Sequence, residues 1–201
     1  MNIPTSQAPR LDDTTLDQLF RQARSFSNWQ KRSVDPALIE ELYDLLKYGP
    51  TSANTSPARF LFLTNDEAKE RLVRILPEGN QEKTRTAPLV AIVAYDLEFY
   101  EHLGKLMPHR DMKPAFVGNP ARISQATTQS GTLQGAYLIL AARALGLDCG
   151  PMLGDMEKID QEFFAGTSWR SNFVCALGYG DRSQLGPRLP RLDFSDAVKT
   201  L

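Results

Sequence analysis

The sequence predicts an α+β fold in which a few strands lie under many helices. Residues 123–145 show a helical pattern that is apolar almost all round from Leu133 onward, as in a buried core helix or a subunit interface. An uninterrupted apolar run over 88–95 is typical of a central strand that is buried on both faces. Shorter apolar runs at 60–64 and 173–178 predict two further strands.

Three more helices are expected in the N-terminal half of the chain. Apolar residues at helical spacing follow polar cap candidates and predict an amphipathic helix over 14–24. A second helix starts with Asp35 as its N-cap and ends at the Gly-Pro pair 49–50. A charged helix is expected over 66–76, stopped by the proline that follows it.

The C-terminal half is organised around the long helix. Gly146 is a natural left-handed C-cap for it, and the Gly- and Pro-containing stretch 147–154 is typical of turns. A further helix is expected over 155–164. Small residues on the long helix would allow another helix to approach closely; they are Gly131, Gly135, Ala136 and Ala142.

The regular patterns stop between residues 97 and 120. This segment holds both histidines, His102 and His109, among glycines, prolines and aromatic residues. A metal site would need further ligands nearby, and the spacing of the two histidines matches no standard ligand pattern. We therefore expect no metal, and we interpret 97–120 as a mobile flap.

Composition narrows the class of protein. With 201 residues, 42% of them hydrophobic, the chain can form one compact domain over 1–201, with the flap as an excursion. The net charge of −1, without long runs of one sign, provides no global field for nucleic acid or an anionic membrane. The chain has no membrane-length apolar segment, and Met1–Arg10 has no leader pattern, so a cytoplasmic protein is expected. Two separate cysteines, Cys149 and Cys175, are expected to be buried thiols.

Two segments could bind a polar ligand. Small hydrogen-bonding side chains are concentrated between Pro50 and Pro57, where they could either wrap a ligand or satisfy their own backbone as a connector. In the tail, Arg188 and Arg191 lie three residues apart in a proline-stiffened segment. They could bind a phosphate with two guanidinium forks, or be solvated charges. There is no Gly-x-Ser-x-Gly elbow and no phosphate loop of Rossmann or P-loop type.

Taken in chain order, the motifs resemble the FMN-dependent nitroreductase family. They are Arg24-Ser25, Pro-Thr-Ser-Ala-Asn-Thr-Ser-Pro at 50–57, Gly79-Asn80, Ala-Leu-Gly-Leu at 144–147, Gly-Pro-Met-Leu-Gly at 150–154, Leu-Gly-Tyr-Gly at 177–180 and the arginine tail. The resemblance covers essentially the whole chain. Within the family, residues 49–54, 56–59, 80–84, 98–101 and 163–166 are most similar to malonic semialdehyde reductases of the pyrimidine-utilisation pathway.

The resemblance implies an interlocked homodimer with a mainly antiparallel sheet surrounded by helices, and with two FMN sites at the interface. Arg24 and Ser25 would bind the phosphate with the tail arginines, and Asn80 and Lys83 would reach the ribityl chain or the pyrimidine edge. The loop 51–54 would come from the partner subunit, and the turn 151–154 would direct backbone N–H groups at N5 and O4 of the ring. The implied cofactor-binding residues are Arg24, Ser25, Ser27, Pro50, Thr51, Ser52, Asn54, Asn80, Lys83, Pro151, Met152, Leu153, Gly154, Arg188 and Arg191.

Two residues depart from the family's pattern. Ser27 and Asn28 stand where many members have a second basic residue. Binding of the phosphate would therefore depend more on the C-terminal arginines. Leu153 stands where many oxygen-insensitive nitroreductases have Glu, which argues against reduction of nitroaromatic compounds.

The predicted activity is the transfer of two electrons from NADH or NADPH, through FMN, to a small acceptor. The resemblance suggests reduction of malonic semialdehyde (3-oxopropanoate) to 3-hydroxypropanoate. Quinones or nitro compounds are alternative acceptors, and a non-catalytic flavin-binding domain is an alternative function. No catalytic side chain is assigned. The candidate substrate contacts are Arg59, Phe99, Arg110 and Phe116, with Lys113 as a further cation.

Overall fold

The computed structural model describes residues 8–201 and contains a four-stranded antiparallel sheet. Its strands are β1 (Ala58–Leu63), β2 (Leu89–Asp96), β3 (Asp148–Met152) and β4 (Trp169–Gly178), in the order β1-β2-β4-β3. Ala58 lies opposite Tyr95 in the first pair, Leu89 opposite Leu177 in the second, and Asp148 opposite Gly178 in the third. This arrangement confirms the predicted α+β class with an antiparallel sheet.

Eight α-helices are assigned in the described residues: α1 (Asp13–Leu16), α2 (Ala37–Leu46), α3 (Asp66–Val73), α4 (Glu78–Thr86), α5 (Leu103–Leu106), α6 (Pro120–Ala144), α7 (Met156–Phe163) and α8 (Phe194–Ala197). A π-helical turn, Asp17–Arg21, follows α1. Single 3-10 turns lie at Ser52–Asn54, Phe99–His102, Lys113–Ala115 and Arg182–Gln184.

The sheet separates two apolar layers. On one face, Leu42 and Leu46 of α2 and Leu138 of α6 pack against alternate residues of β2, β3 and β4. On the other face, Leu72 of α3 and Ile159 of α7 pack against the intervening residues. Both faces of β2 are therefore buried, which confirms the prediction of a central strand over 88–95.

The stretch 147–154 is not only turns, as the sequence indicated, because Asp148–Met152 form β3. β3 is an edge strand, paired only with β4 in the described sheet. An edge position tolerates a proline, because the missing N–H of Pro151 can face away from the ladder. Gly150 and Pro151 therefore lie in an edge strand and not in a loop.

The helix predicted over 66–76 ends early, and a second helix was missed. α3 ends at Val73, and α4 begins at Glu78, directly after Pro77. Proline stops one helix but also fits the start of the next, because the first helical N–H groups need no intrahelical partner. Likewise, the helix predicted over 14–24 ends at Arg21 as α1 and its π-helical turn.

The long helix α6 spans 120–144 rather than 123–145, because the Asn119 side chain caps it by accepting a hydrogen bond from the Arg122 N–H at 3.1 Å. Gly131 and Gly135 face the sheet, whereas Ala142 packs in the same apolar cluster as Leu42 and Leu46 of α2. A Cβ on Gly135 would lie 2.5 Å from the Phe173 ring, and Gly131 lies against Tyr95. Ala136 is exposed. The glycines therefore let α6 lie close on β2 and β4.

Within residues 8–201, no helix is both long enough and apolar enough to cross a membrane. The expectation that Met1–Arg10 lacks a leader pattern concerns residues 1–7 as well, which lie outside the described residues. Both cysteines are free and buried, as predicted. A hydrogen bond with Cys175, together with burial, raises the pKa of the Cys149 thiol well above its usual value, so this thiol stays protonated at neutral pH.

Candidate functional site

The segment that carries Arg24 and Ser25 lies along the edge strand β3. The Phe26 N–H donates a hydrogen bond to the Cys149 carbonyl at 2.9 Å, and Ser25 forms a parallel bridge with Cys149. Further along, Trp29 forms an antiparallel bridge with Gly180. The sheet therefore fixes the backbone from which Arg24 and Ser25 project.

The arginine tail folds back onto this segment through reciprocal hydrogen bonds. Arg24 Nη2 donates to the Gly186 carbonyl at 2.8 Å. In return, Arg188 Nη2 donates to the carbonyl groups of Arg21 and Ala23, each at 2.8 Å. The guanidinium groups of Arg24 and Arg188 therefore join segments that lie 162 to 167 positions apart in the sequence.

Together the two segments enclose a cavity of about 400 Å³, here called the arginine cavity. It brings together five predicted phosphate-side residues: Arg24, Ser25, Ser27, Arg188 and Arg191. Its wall holds four guanidinium groups and one carboxylate, that of Asp181, which is engaged by the N–H and hydroxyl of Ser183. In the described chain, the four arginines donate only to backbone carbonyl groups. The cavity therefore carries a concentrated, unpaired positive charge.

The fourth guanidinium belongs to Arg143, which the sequence reasoning missed. Arg143 lies in the last turn of α6 and lines both the arginine cavity and a neighbouring cavity. One signal could have identified it, because it is the only charge in the otherwise apolar C-terminal half of this helix. A cation in the last turn of a helix is also favoured by the negative end of the helix dipole, so the charge gains significance for a ligand only from its place on the cavity wall.

A second group of predicted residues surrounds the turn after β3. Asn80 Nδ2 donates to the Leu153 carbonyl at 2.9 Å and so fixes the peptide plane between Leu153 and Gly154. Because a trans peptide directs its C=O and N–H in opposite directions, the Gly154 N–H points away from Asn80. A side chain at Gly154 would collide with Leu76, whose Cδ2 would lie 2.6 Å from the added Cβ. The turn thus presents backbone donors in a fixed orientation.

Trp29 connects the two groups. Its indole Nε1 donates to the Lys83 carbonyl in α4 at 2.9 Å, and its ring lies beside Phe26, with centroids 6.4 Å apart. Partial burial lowers the pKa of the Lys83 ammonium. Thr84, one residue later, donates to the Asn80 carbonyl and the Met152 sulfur. Contacts therefore run from Phe26, two residues after Arg24, through Trp29 and α4 to Met152 at the start of the 151–154 turn.

The loop 51–56 is strained and forms a third group. Ala53, Asn54 and Ser56 have φ values of 50°, 49° and 40°, in the left-handed region that costs a residue with a side chain about 1–3 kcal/mol. Side chains of α6 hold the loop in place. Ser130 Oγ accepts from the Ser52 N–H at 3.3 Å, and Gln134 Oε1 accepts from the Ala58 N–H at 2.9 Å. Such strain is typical of functional loops.

Asn54 in this loop contacts the flap. Its Nδ2 donates to the Leu106 carbonyl at 2.8 Å. Thr51 accepts from the Ser56 N–H and so closes the loop on itself. None of Pro50, Thr51, Ser52 and Asn54 lines the arginine cavity in the described chain. The structure therefore separates these four predicted cofactor residues from the phosphate-side residues of the same chain.

Arg59, a predicted substrate contact, already has its partners. It forms an ion pair with Asp96 at 2.7 Å, with side chains 18% and 8% exposed, and it also donates to the carbonyl groups of Ser56 and Ala58. Asp96 additionally accepts from the Ser168 hydroxyl at 2.6 Å. Arg59 borders a cavity of about 690 Å³ between α2, β1 and the flap, but its guanidinium is committed to the fold. Arg59 is therefore not a free cation for a substrate, contrary to the prediction.

The flap residues divide into core and surface. Phe99 and Phe116 are buried and pack edge to face, with centroids 4.9 Å apart, over the start of α6. They hold the flap together, which corrects their prediction as substrate contacts.

The charged residues of the flap lie at its surface. Lys113 pairs with Glu101. Arg110 is exposed and has no ion pair within residues 8–201. The residues described contain no group of three potential metal ligands around either histidine.

Comparison with known proteins agrees with this geometry. The model of the nitroreductase family matches residues 20–179. A Ralstonia nicotianae protein named "Putative NADH dehydrogenase/NAD(P)H nitroreductase" is 52% identical over 194 residues, which are 96% of this chain and 100% of that protein. A Burkholderia lata protein of the same name is 55% identical over 190 residues, which are 94% and 97% of the two chains.

A solved structure shows the same fold. It is the "putative nitroreductase" of Exiguobacterium sibiricum in complex with FMN, which superposes with a TM-score of 0.82 at 21% identity and covers 98% of this chain and 100% of its own. The fold, the family model and the extensive identity to named relatives lead to one conclusion: the chain belongs to the nitroreductase family.

Proposed function

We propose that this protein is an FMN-dependent oxidoreductase that passes electrons from NADH or NADPH to a small acceptor. The observation that carries the proposal is the arginine cavity, which four arginines line together with Asp181, whose carboxylate is already engaged by Ser183. A phosphate monoester is the anion that such forks bind well. The structural neighbour with FMN bound supports the identity of the cofactor.

The proposed cofactor-binding residues fit FMN group by group. Arg24, Ser25, Ser27 and the tail arginines would hold the phosphate. Asn80 and the partly desolvated Lys83 would reach the ribityl chain or the pyrimidine edge. The N–H groups of Leu153 and Gly154, which donate in none of the turn and loop hydrogen bonds described, would face the ring. When bound, FMN supplies the hydride chemistry, and the protein orients it. We assign no catalytic acid or base.

We further propose a homodimer in which the loop 51–54 serves the flavin of the partner subunit. The separation of this loop from the arginine cavity of its own chain supports a shared site. Exposed apolar side chains also support an interface. They lie around α2, on α6 and in the tail, and comprise Tyr43, Leu45, Tyr48, Leu133, Tyr137, Leu189, Leu192 and Phe194. The chain would form one FMN-binding domain, and its two free thiols suit a reducing compartment such as the cytoplasm.

We propose malonic semialdehyde (3-oxopropanoate) as the acceptor, reduced to 3-hydroxypropanoate. A short carboxylate needs a cation. Within residues 8–201 Arg110 forms no ion pair, whereas Arg59 and Lys113 are both paired. Quinones and nitro compounds are the second candidates, since the named relatives are called NADH dehydrogenases and nitroreductases. A flavin-binding domain without catalysis is the third.

Steady-state kinetics with three acceptors separate these functions. The FMN-loaded protein is assayed with malonic semialdehyde, a quinone and nitrofurazone, each with NADH and with NADPH. We expect the highest kcat/KM for malonic semialdehyde and parallel double-reciprocal plots, since nucleotide and acceptor would react in turn. In the Arg110→Ala variant, KM should rise about tenfold for malonic semialdehyde, the scale of one lost charge-assisted hydrogen bond, and stay unchanged for the quinone.

Lys113→Ala is the matched control, because Lys113 lies in the same flap but pairs with Glu101. Faster turnover of quinone or nitrofurazone than of malonic semialdehyde would replace the proposed acceptor. Absence of turnover with all three acceptors, in protein that holds FMN, would favour the non-catalytic function.

A further inference from the structure

Arg143 carries a half-buried charge that has almost no partners among residues 8–201. A guanidinium has five N–H donors. In the described residues Arg143 uses one of them, from Nη1 to the Leu19 carbonyl at 3.0 Å, while its Nε is buried without an acceptor. Arg59 differs in this respect, because that partly buried arginine has a carboxylate and three carbonyl partners.

The surroundings of Arg143 add to this electrostatic cost. Three further guanidinium groups, of Arg24, Arg188 and Arg191, line the same cavity. Like charges that share a partly desolvated site repel each other, and a buried charge without a counter-ion is unfavourable. Among the residues that the structure describes, Asp181 is the only acidic one on the wall, and its carboxylate caps the turn at Ser183. An anion inside the cavity would offset both costs.

We propose that Arg143 is a fourth binding residue for the FMN phosphate. The assignment rests on the proposed function, and it extends the phosphate site from the N-terminal segment and the tail to the C-terminal turn of α6. The competing explanation is structural, because the bond to Leu19 also ties α6 to the π-helical turn. The two roles differ in one measurable respect. If Arg143 contacts the phosphate, its loss weakens binding of FMN but not of riboflavin, which lacks the phosphate. If its role is only structural, its loss weakens binding of both flavins.

The test compares the two ligands. Flavin-free wild-type protein, Arg143→Gln and Arg143→Met are titrated with FMN and with riboflavin, and binding is followed by quenching of flavin fluorescence. Methionine keeps the apolar stem of the side chain and is the second variant if glutamine compromises folding. We expect the Kd for FMN to rise about tenfold or more, as for loss of one charge-assisted hydrogen bond, while the Kd for riboflavin changes less than about twofold. Arg143→Lys should recover most of the preference for FMN.

Arg182→Gln is the matched control. Arg182 shares the neighbouring cavity with Arg143 but not the arginine cavity, and it pairs with Asp148 at 3.4 Å. Its variant should bind both flavins as the wild type does. An equal loss for both flavins, or no loss, in the Arg143 variants would overturn the assignment and leave the rest of the site intact. A wild-type protein with no preference for FMN over riboflavin would reject the phosphate site itself.

Discussion

Replacing Arg188 and Arg191 together by alanine weakens FMN binding by at least about a hundredfold. Charge-assisted hydrogen bonds from arginine are typically worth about 1.5–3 kcal/mol each, and two of them account for such a factor. The structure adds a second reason, because Arg188 also holds the tail against the carbonyl groups of Arg21 and Ala23. The measurement is a titration of flavin-free protein with FMN, followed by fluorescence quenching.

Lys199→Ala serves as the control for this double variant. Lys199 is an exposed cation of the same tail and does not line the arginine cavity. Its variant should bind FMN within about twofold of the wild type, as expected for a solvated charge. If the folded double variant retained the wild-type affinity, the two tail arginines would be solvated charges of the same kind as Lys199.

Replacing Asp96 by asparagine should strongly destabilise the fold. Asp96 ends β2 and accepts from Arg59, the Ser168 hydroxyl and the Glu98 N–H. Asparagine can still accept from the last two, but its amide N–H₂ would face the Arg59 guanidinium and leave that charge unpaired. Removing one partner of a buried ion pair costs about 3–5 kcal/mol. For a chain of this size the Tm should fall by roughly 6–20 °C.

Thermal unfolding at fixed protein and FMN concentrations measures this loss. The control is Asp44→Asn, which breaks the ion pair with Lys47 on the surface of α2, where the Asp44 side chain is 67% exposed. A surface pair of this kind contributes at most about 1 kcal/mol, so the control should lose only a few degrees. An Asp96 variant that unfolds at the same temperature as the Asp44 variant would contradict the structural role of this pair.

The sequence predicted those helices and strands in which the spacing of apolar residues follows from which side chains are buried. β2 is apolar without interruption because both of its faces are covered. In the second half of α6, Leu138 and Ala142 are apolar because they pack in the core, whereas Leu133 and Tyr137 are exposed on the single chain. β3 and α4 were missed for a physical reason. Each contains or follows a proline, and proline is compatible with loops, with sheet edges and with helix starts, so that only the neighbouring structure decides.

The candidate site was predicted in part. Arg24 and Arg188 were identified by residue type and family resemblance. Their hydrogen bonds to backbone carbonyl groups of each other's segment could not be predicted, because they depend on how the tail folds back. Arg143 was missed because no local spacing connects it to either segment. Phe99 and Phe116 were misassigned, since aromatic residues in an irregular segment have the same pattern whether they line a channel or form a small core.

Identification and quantification of the bound cofactor tests FMN binding most directly. The protein is purified without added flavin, and its ligand is released by heat, separated by chromatography and quantified against the protein. We expect a yellow protein that releases FMN, approaching one FMN per chain after reconstitution. We propose that the arginine cavity holds the single phosphate of FMN, and no second group of arginines is assigned here to the adenylate half of FAD. Release of FAD, or a colourless protein whose Tm FMN does not raise, would contradict the proposed function.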